Sequence, residues 1–214
     1  MQGIRSRCAP LALALVLAAT GPGVANALTL ADLDAGASFS AGGLTFSGFE
    51  VLVSGDASSD LADYPVQLLA DGFRVAGPLA LTLGEEATLL LSYVVEAATG
   101  IEAASLFAPL VAVGDGSAAL VSESLLDASS VPLATLLALN VAGGEVDFAD
   151  AAGFAPASKL EVVTVIALTS GVLAALPHVD QRFAVAPEPL TLVLLASGLL
   201  GLALFGGRRR AMVA

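Results

Sequence analysis

The residues able to do acid–base or nucleophilic chemistry are few. Imidazole is the side chain that changes protonation near neutral pH, and the only histidine is His178, in Leu176-Pro177-His178-Val179-Asp180. A Ser-His-Asp triad on a nucleophile elbow would need a GxSxG sequence, which the chain lacks. His178 therefore reads as a turn residue between two strands. Paired carboxylates can hydrolyse glycosides, and 20 acidic residues are available. Sugar-processing sites also present aromatic faces, however, and here there is no Trp and only Tyr64 and Tyr93.

Asp56, Asp60 and Asp63 fall in one loop-like stretch, SGDASSDLADY. Hard oxygen ligands on a flexible loop suit calcium, which makes these three the metal candidates. Their spacing is not that of an EF-hand, and a solvated turn is the other reading. Gly114-Asp115-Gly116 lacks the lysine of a phosphate-cradling loop and reads as a hairpin turn. The one cysteine, Cys8, lies in the segment assigned below to export. Removal of that segment leaves no disulfide, thiolate nucleophile or Cys-ligated metal. These residue types imply no cofactor and no enzyme.

Charge excludes further classes. Residues 28–186 hold 19 acidic residues, from Asp32 to Asp180, but only Arg74, Lys159 and Arg182 as cations, a net charge of −16. Such a field repels nucleic acid and anionic headgroups. It leaves two binding readings for acidic loops, calcium or polysaccharide.

The two ends carry clear patterns. Arg5 and Arg7 precede an apolar run, Leu11 to Ala19, followed by Gly21-Pro22-Gly23. Ala25 and Ala27 are the small residues a signal peptidase checks, so cleavage is expected after Ala27. The run, about 10 residues, is too short to span a hydrocarbon core of about 30 Å. At the other end Pro187, Glu188 and Pro189 precede the apolar stretch 190–205, then Arg208, Arg209 and Arg210. Sixteen residues rise about 24 Å as a helix, and snorkelling arginines extend that reach. Basic residues on the C-terminal flank hold that side in the cytoplasm and place residues 28–186 outside. Proline cannot donate to a ladder and biases its neighbour towards extended backbone, so Pro187–Pro189 reads as a stiff stalk.

This tail resembles the PEP-CTERM sorting signal, in which a Pro-Glu-Pro motif, a short membrane helix and a basic cluster end the chain. The resemblance implies an exported bacterial protein, recognised through Pro187, Glu188 and Pro189 by the membrane protease exosortase. It also implies transient anchoring in the inner membrane, with the domain outside, and a final place at the cell surface or in an exopolysaccharide matrix. The middle is similar to a secreted group found upstream of such tails. The matching residues are Leu30, Leu33, Gly36, Ser38, Gly42, Gly43, Phe46, Ser47 and Phe49, the segment Gly72–Gly84, Leu91–Val95 and Val121–Leu125. That resemblance implies a β-sandwich and carries no activity.

The elements agree. Candidate strands recur over 44–53, 66–69, 73–76, 79–83, 88–96, 104–113, 119–125, 133–140, 159–169 and 179–185, punctuated by Gly, Asp and Pro. In 44–53, strict alternation puts Phe46 and Phe49 on opposite faces. The run 159–169 is apolar on both faces and reads as a central strand covered on both sides. The Ala-Leu run Leu133–Leu139 is open to a helical reading, and Thr29–Asp34 to one short helical turn. The expected plan is a signal segment at 1–27, a mainly β, antiparallel sandwich-like domain at 28–186, and a sorting tail at 187–214.

Overall fold

In a computed structural model of the chain, the described residues are 28–187 and Ser197, which is helical and exposed. The sites at Ala25 and Ala27, the cysteine, Glu188, Pro189, the rest of 190–205 and Arg208–Arg210 lie outside the described residues. Among those described, no helix is long and apolar enough to cross a membrane.

The fold is mainly β. The strands are β1 (Leu28–Thr29), β2 (Phe39–Ala41), β3 (Leu44–Gly55), β4 (Pro65–Leu69), β5 (Gly72–Thr82), β6 (Glu86–Phe107), β7 (Val111–Val113), β8 (Ala118–Asp127), β9 (Pro132–Val141), β10 (Val146–Asp147), β11 (Ala149–Thr169) and β12 (Leu173–Val185). One short helix, α1 (Leu30–Asp34), follows β1. Thr29 caps it by accepting from the Asp32 amide, while the Asp32 carboxylate accepts from the Thr29 amide. This reciprocal pair satisfies amides that a helix start leaves free, and it buries Leu30 and Leu33.

All strand pairs are antiparallel, in the order β1-β4-β5-β12-β6-β11-β8-β9-β10, with β3 also on β6, β2 on β3 and β7 on β12. The two longest strands make the sheet fold over. From Ala87 to Ala97, β6 pairs with β3; from Ile101 to Phe107 it pairs with β12. β11 follows β6 along both stretches, shifting register between Gly153 and Lys159. Gly100, at φ +89°, supplies the bend where a side chain would be strained. As a result β3 and β5 face each other with no ladder between them, Phe46 and Phe73 standing 5.4 Å apart edge to face. The arrangement is consistent with a β-sandwich.

Between these layers lie the rings of Phe39, Phe46, Phe49, Phe73, Tyr93 and Phe183, with neighbouring centroids 4.8 to 6.4 Å apart. Full burial of each such side chain contributes about 1.5–3 kcal/mol. The alternation expected in 44–53 breaks here. A bulge between Ser47 and Glu50, with Gly48 at φ +64°, inserts one residue and resets the parity. Phe46 and Phe49 therefore both point inward.

Other expectations change for similar reasons. The runs 73–76 and 79–83 are one strand, β5, facing a register shift at Leu176/His178 of β12. The run 104–113 divides at Pro109 into the end of β6 and β7. Leu133–Leu139 is strand, with Leu136 and Ala138 buried on one face. β11 is central as expected, between β6 and β8, but only one face is covered: Leu160, Val162, Thr164, Ile166 and Leu168 are buried, whereas Val163 and Val165 are half-buried on the outside. Gly114–Gly116 joins β7 to β8, which do not pair, so it is a crossing turn and not a hairpin.

Candidate functional site

The strand register builds a polar row across the outer face of β4, β5, β12 and β6. Gln67 is opposite Arg74, Arg74 opposite Asp180, and Asp180 opposite Phe107. Directly opposed residues of antiparallel strands share a face, so these four side chains stand in line. The row covers three inter-strand gaps, about 14 Å. Inward neighbours Val75, Val179, Gln181 and Leu106 are buried in the core, which holds the row on a rigid support.

Its centre is a fork. Arg74 Nε donates to Asp180 Oδ1 at 2.6 Å and Nη2 donates to Oδ2 at 2.9 Å. His178 Nε2 lies 3.9 Å from Oδ1 and Arg182 Nη2 3.8 Å from Oδ2, while Arg182 Nη1 donates to Asp71 at 3.3 Å. Burial pushes the Asp180 carboxyl up, but the hydrogen bonds and charge of Arg74, with His178 and Arg182, outweigh it and hold it below the ordinary range. Two of the three cations of residues 28–186, and the one histidine, thus gather around one carboxylate. Phe107 closes the row. The residue is 42% exposed, and its ring stands 6.0 Å from the His178 ring.

His178 was expected in a turn. It lies instead within β12, beside the Leu176/His178 register shift. That irregularity follows Pro177, which has no N–H to offer the ladder. The imidazole faces a carboxylate already forked by an arginine, and among the described residues no hydrogen bond links it to a hydroxyl. The arrangement is an ion-pair cluster on the outer face of a sheet, suited to binding a polar ligand beside a ring.

Beneath the row runs a buried polar chain. Tyr93 Oη donates to Gln181 Oε1, Gln181 Nε2 to Thr164 Oγ1 at 2.8 Å, and Thr164 Oγ1 to Glu123 Oε2 at 3.4 Å. All four residues are buried, and Glu123 Oε1 has no hydrogen-bond partner among the described residues. Desolvation raises the Glu123 carboxyl to about 8 despite its bond from Thr164. Desolvation, then the Glu123 charge, raises the Tyr93 hydroxyl well above its usual value. A carboxyl sealed in this way is neutral at pH 7 and out of reach of a polymer.

The structure does not bring the calcium candidates together. Asp56 accepts from the Glu86 amide at 3.0 Å, Asp60 from the Ala62 amide at 3.0 Å, and Asp63 from the Ser58 hydroxyl at 2.6 Å. Each carboxylate is engaged in shaping the loop. Among the described residues, no group of three or more His, Cys, Asp or Glu is placed to hold a metal. Pro187 is exposed, just beyond the Ala186 amide that donates to Gly100 O; the rest of the tail motif is outside the described residues.

A separate open cleft of about 600 Å³ lies on the β3–β6–β11 half, lined by Thr45, Glu96, Ser158 and Lys159 among small residues. Concavity favours it as a site. Its lining has no ring and no carboxylate fixed by hydrogen bonds, and the row has both. Composition pointed to neither Arg74 nor Phe107. The available signal was that Arg74 and Arg182 are so scarce in an acidic chain.

No family model matches the chain, and no curated protein matches it in sequence. Solved structures show distant likeness. TmCBM61 in complex with β-1,4-galactotriose aligns at 12% identity and TM-score 0.39, over 64% of this chain and 88% of that one. The C-terminal family 22 carbohydrate-binding module of Clostridium thermocellum Xyn10B aligns at 14% identity and TM-score 0.26, over 70% and 91%. The enzymatically active domain of bacteriophage CBA120 tailspike protein 4 aligns at 17% identity and TM-score 0.30, over 66% and 19%. Scores this low establish neither kinship nor ligand.

Proposed function

We propose that this chain is an exported, non-catalytic envelope protein whose β-domain binds polysaccharide, carried out by residues 1–27 and sorted through the tail at 187–214. The observation that carries the binding reading is the row Gln67–Arg74–Asp180–Phe107. Planar, hydrogen-bonding side chains held rigid beside an exposed ring are the means by which a protein grips hydroxyl-rich rings, polar groups fixing orientation and the aromatic face taking the apolar side. In the acidic loop Asp56, Asp60 and Asp63 each accept a hydrogen bond from within the domain, and among the described residues no exposed ring stands beside them to take a sugar's apolar side.

Affinity electrophoresis through gels containing soluble polysaccharides tests it. The full chain is expected to be retarded by at least one polymer, and Asp180→Asn with Arg74→Met to lose that retardation. Equal mobility in every gel would dismiss the binding role. Intact-mass analysis of native protein tests delivery: loss of residues 1–27 and processing near Pro187 are expected, and an unprocessed mass would remove the sorting reading.

A further inference from the structure

We infer that this face takes an uncharged polysaccharide, its chain laid across the strands along the line from Gln67 to Phe107. The inference rests on the polysaccharide reading above and names the ligand class and its direction.

The charge balance of the face decides the class. Its arginines are matched: Arg74 is forked onto Asp180, and Arg182 reaches both Asp180 and Asp71. No cation on the face is left over for the carboxylate of an acidic sugar. The surrounding domain carries −16, and Asp71, 47% exposed at its side chain, stands at the edge of the face. An anionic polymer would meet repulsion at short range, where salt screens it least. A neutral chain meets only dipoles, a guanidinium edge and a ring.

The direction follows from relief and spacing. Gln67 is exposed at one end of the row and Phe107 at the other, with the fork between them. On β5 and β6 the flanking positions of the same face are low: Ala76 lies on one side of Arg74 and Gly72 on the other, and Ser105 precedes Phe107 by two residues, while on β12 His178 and Arg182 stand either side of Asp180. Beyond Phe107 the next opposed residue is Ala149, also small. A chain lying along one strand would touch Arg74 or Phe107 but not both. A chain crossing the strands meets the amide, the fork and the ring in succession.

Calorimetry of the full chain with neutral gluco- and galacto-oligosaccharides of increasing length, and with oligogalacturonates, tests both parts. A neutral series is expected to bind, tightening with length until it reaches from Gln67 to Phe107 and then levelling. Oligogalacturonates are expected to bind at least about tenfold more weakly at low salt, the gap narrowing as salt is added. Phe107→Ala should weaken the neutral series by about tenfold, as loss of a ring contact of roughly 1.4 kcal/mol would. Gln67→Ala should shorten the length at which affinity levels. Both side chains are exposed, so the variants fold. Preference for oligogalacturonates would overturn the ligand class and leave polysaccharide binding standing. Neutral binding indifferent to Phe107→Ala and Gln67→Ala, or lost in Lys159→Ala, would move the site off this face. No binding of any sugar would sink the polysaccharide reading itself.

Discussion

Arg74 and Asp180 meet through two parallel hydrogen bonds, of 2.6 and 2.9 Å, across 106 residues of chain. The pair sits at the β5–β12 ladder, on the outer face, with the carboxylate almost fully enclosed and the guanidinium one-third exposed. It is both the centre of the proposed binding row and a strut between two strands.

Removing one member therefore costs more than a surface ion pair would. Arg74→Ala leaves an enclosed carboxylate with only the longer contacts to Arg182 and His178, and a loss of about 2 kcal/mol is expected at pH 7. Arg74→Lys should recover only part, since an ammonium cannot make the two-point contact. Because the folded Asp180 carboxyl is held below its unfolded value, the stabilisation is present at neutral pH and disappears as the pH falls into the acid range. The deficit of Arg74→Ala should shrink accordingly. Urea denaturation at neutral and acid pH measures both, and a deficit under about 0.5 kcal/mol at pH 7 would mean solvent screens the pair.

Glu123 predicts the opposite slope. Its folded value, about 8, lies above the 4.5 of an exposed glutamate, so its contribution is complete below pH 4.5 and is lost progressively as the pH rises to 8. At about 1.4 kcal/mol per unit, roughly 3 kcal/mol is lost by pH 7. Glu123→Gln keeps the shape without the charge and should melt higher than the parent at pH 8 but not at pH 4. Parallel melting curves at both pH values would show that Glu123 is not enclosed as described.

Gly48 can be tested through its backbone. At φ +64° an L side chain is strained, while its added Cβ would meet only Val94 Cγ2 at 3.8 Å, an ordinary contact. Gly48→Ala should cost about 1–2 kcal/mol from conformation alone. A neutral result in thermal melting would mean that the bulge, and the inward turn of both Phe46 and Phe49, is not required.

The acidic loop should be indifferent to calcium. Asp60 caps a 3-10 turn at Leu61–Asp63, so Asp60→Ala is expected to cost about 1 kcal/mol, with or without the ion. A rise in melting temperature on adding calcium, abolished in Asp56→Asn, would restore these residues as ligands.

For the tail, Glu188→Ala should leave export unchanged and retain the unprocessed C-terminus. Identical processing by mass spectrometry would remove Glu188 from the recognition motif.

Local patterns were legible along the chain because their causes are local. Thr29 and Asp32, three residues apart, announce the capped turn of α1, and the β-branched, apolar run of β11 announces a central strand. The proposal of export and sorting rests on residue order alone, from Arg5 to Ala27 and from Pro187 to Arg210. Scarcity was equally plain: one histidine, one cysteine and no tryptophan narrow the chemistry before any fold is considered.

The rest depended on which strands become neighbours. One bulge residue, Gly48, reverses the face of everything after it, so alternation could not place Phe49 in the core. His178 reads as a turn residue beside Pro177, but becomes a mid-strand neighbour of Asp180 once β12 pairs with β5 and β6. The row of Gln67, Arg74, Phe107 and Asp180, like the buried chain from Tyr93 to Glu123, is drawn from segments distant in sequence. Register between such segments is set by the burial of their opposite faces against a common core, and that is a property of the assembled sheet, not of any one strand.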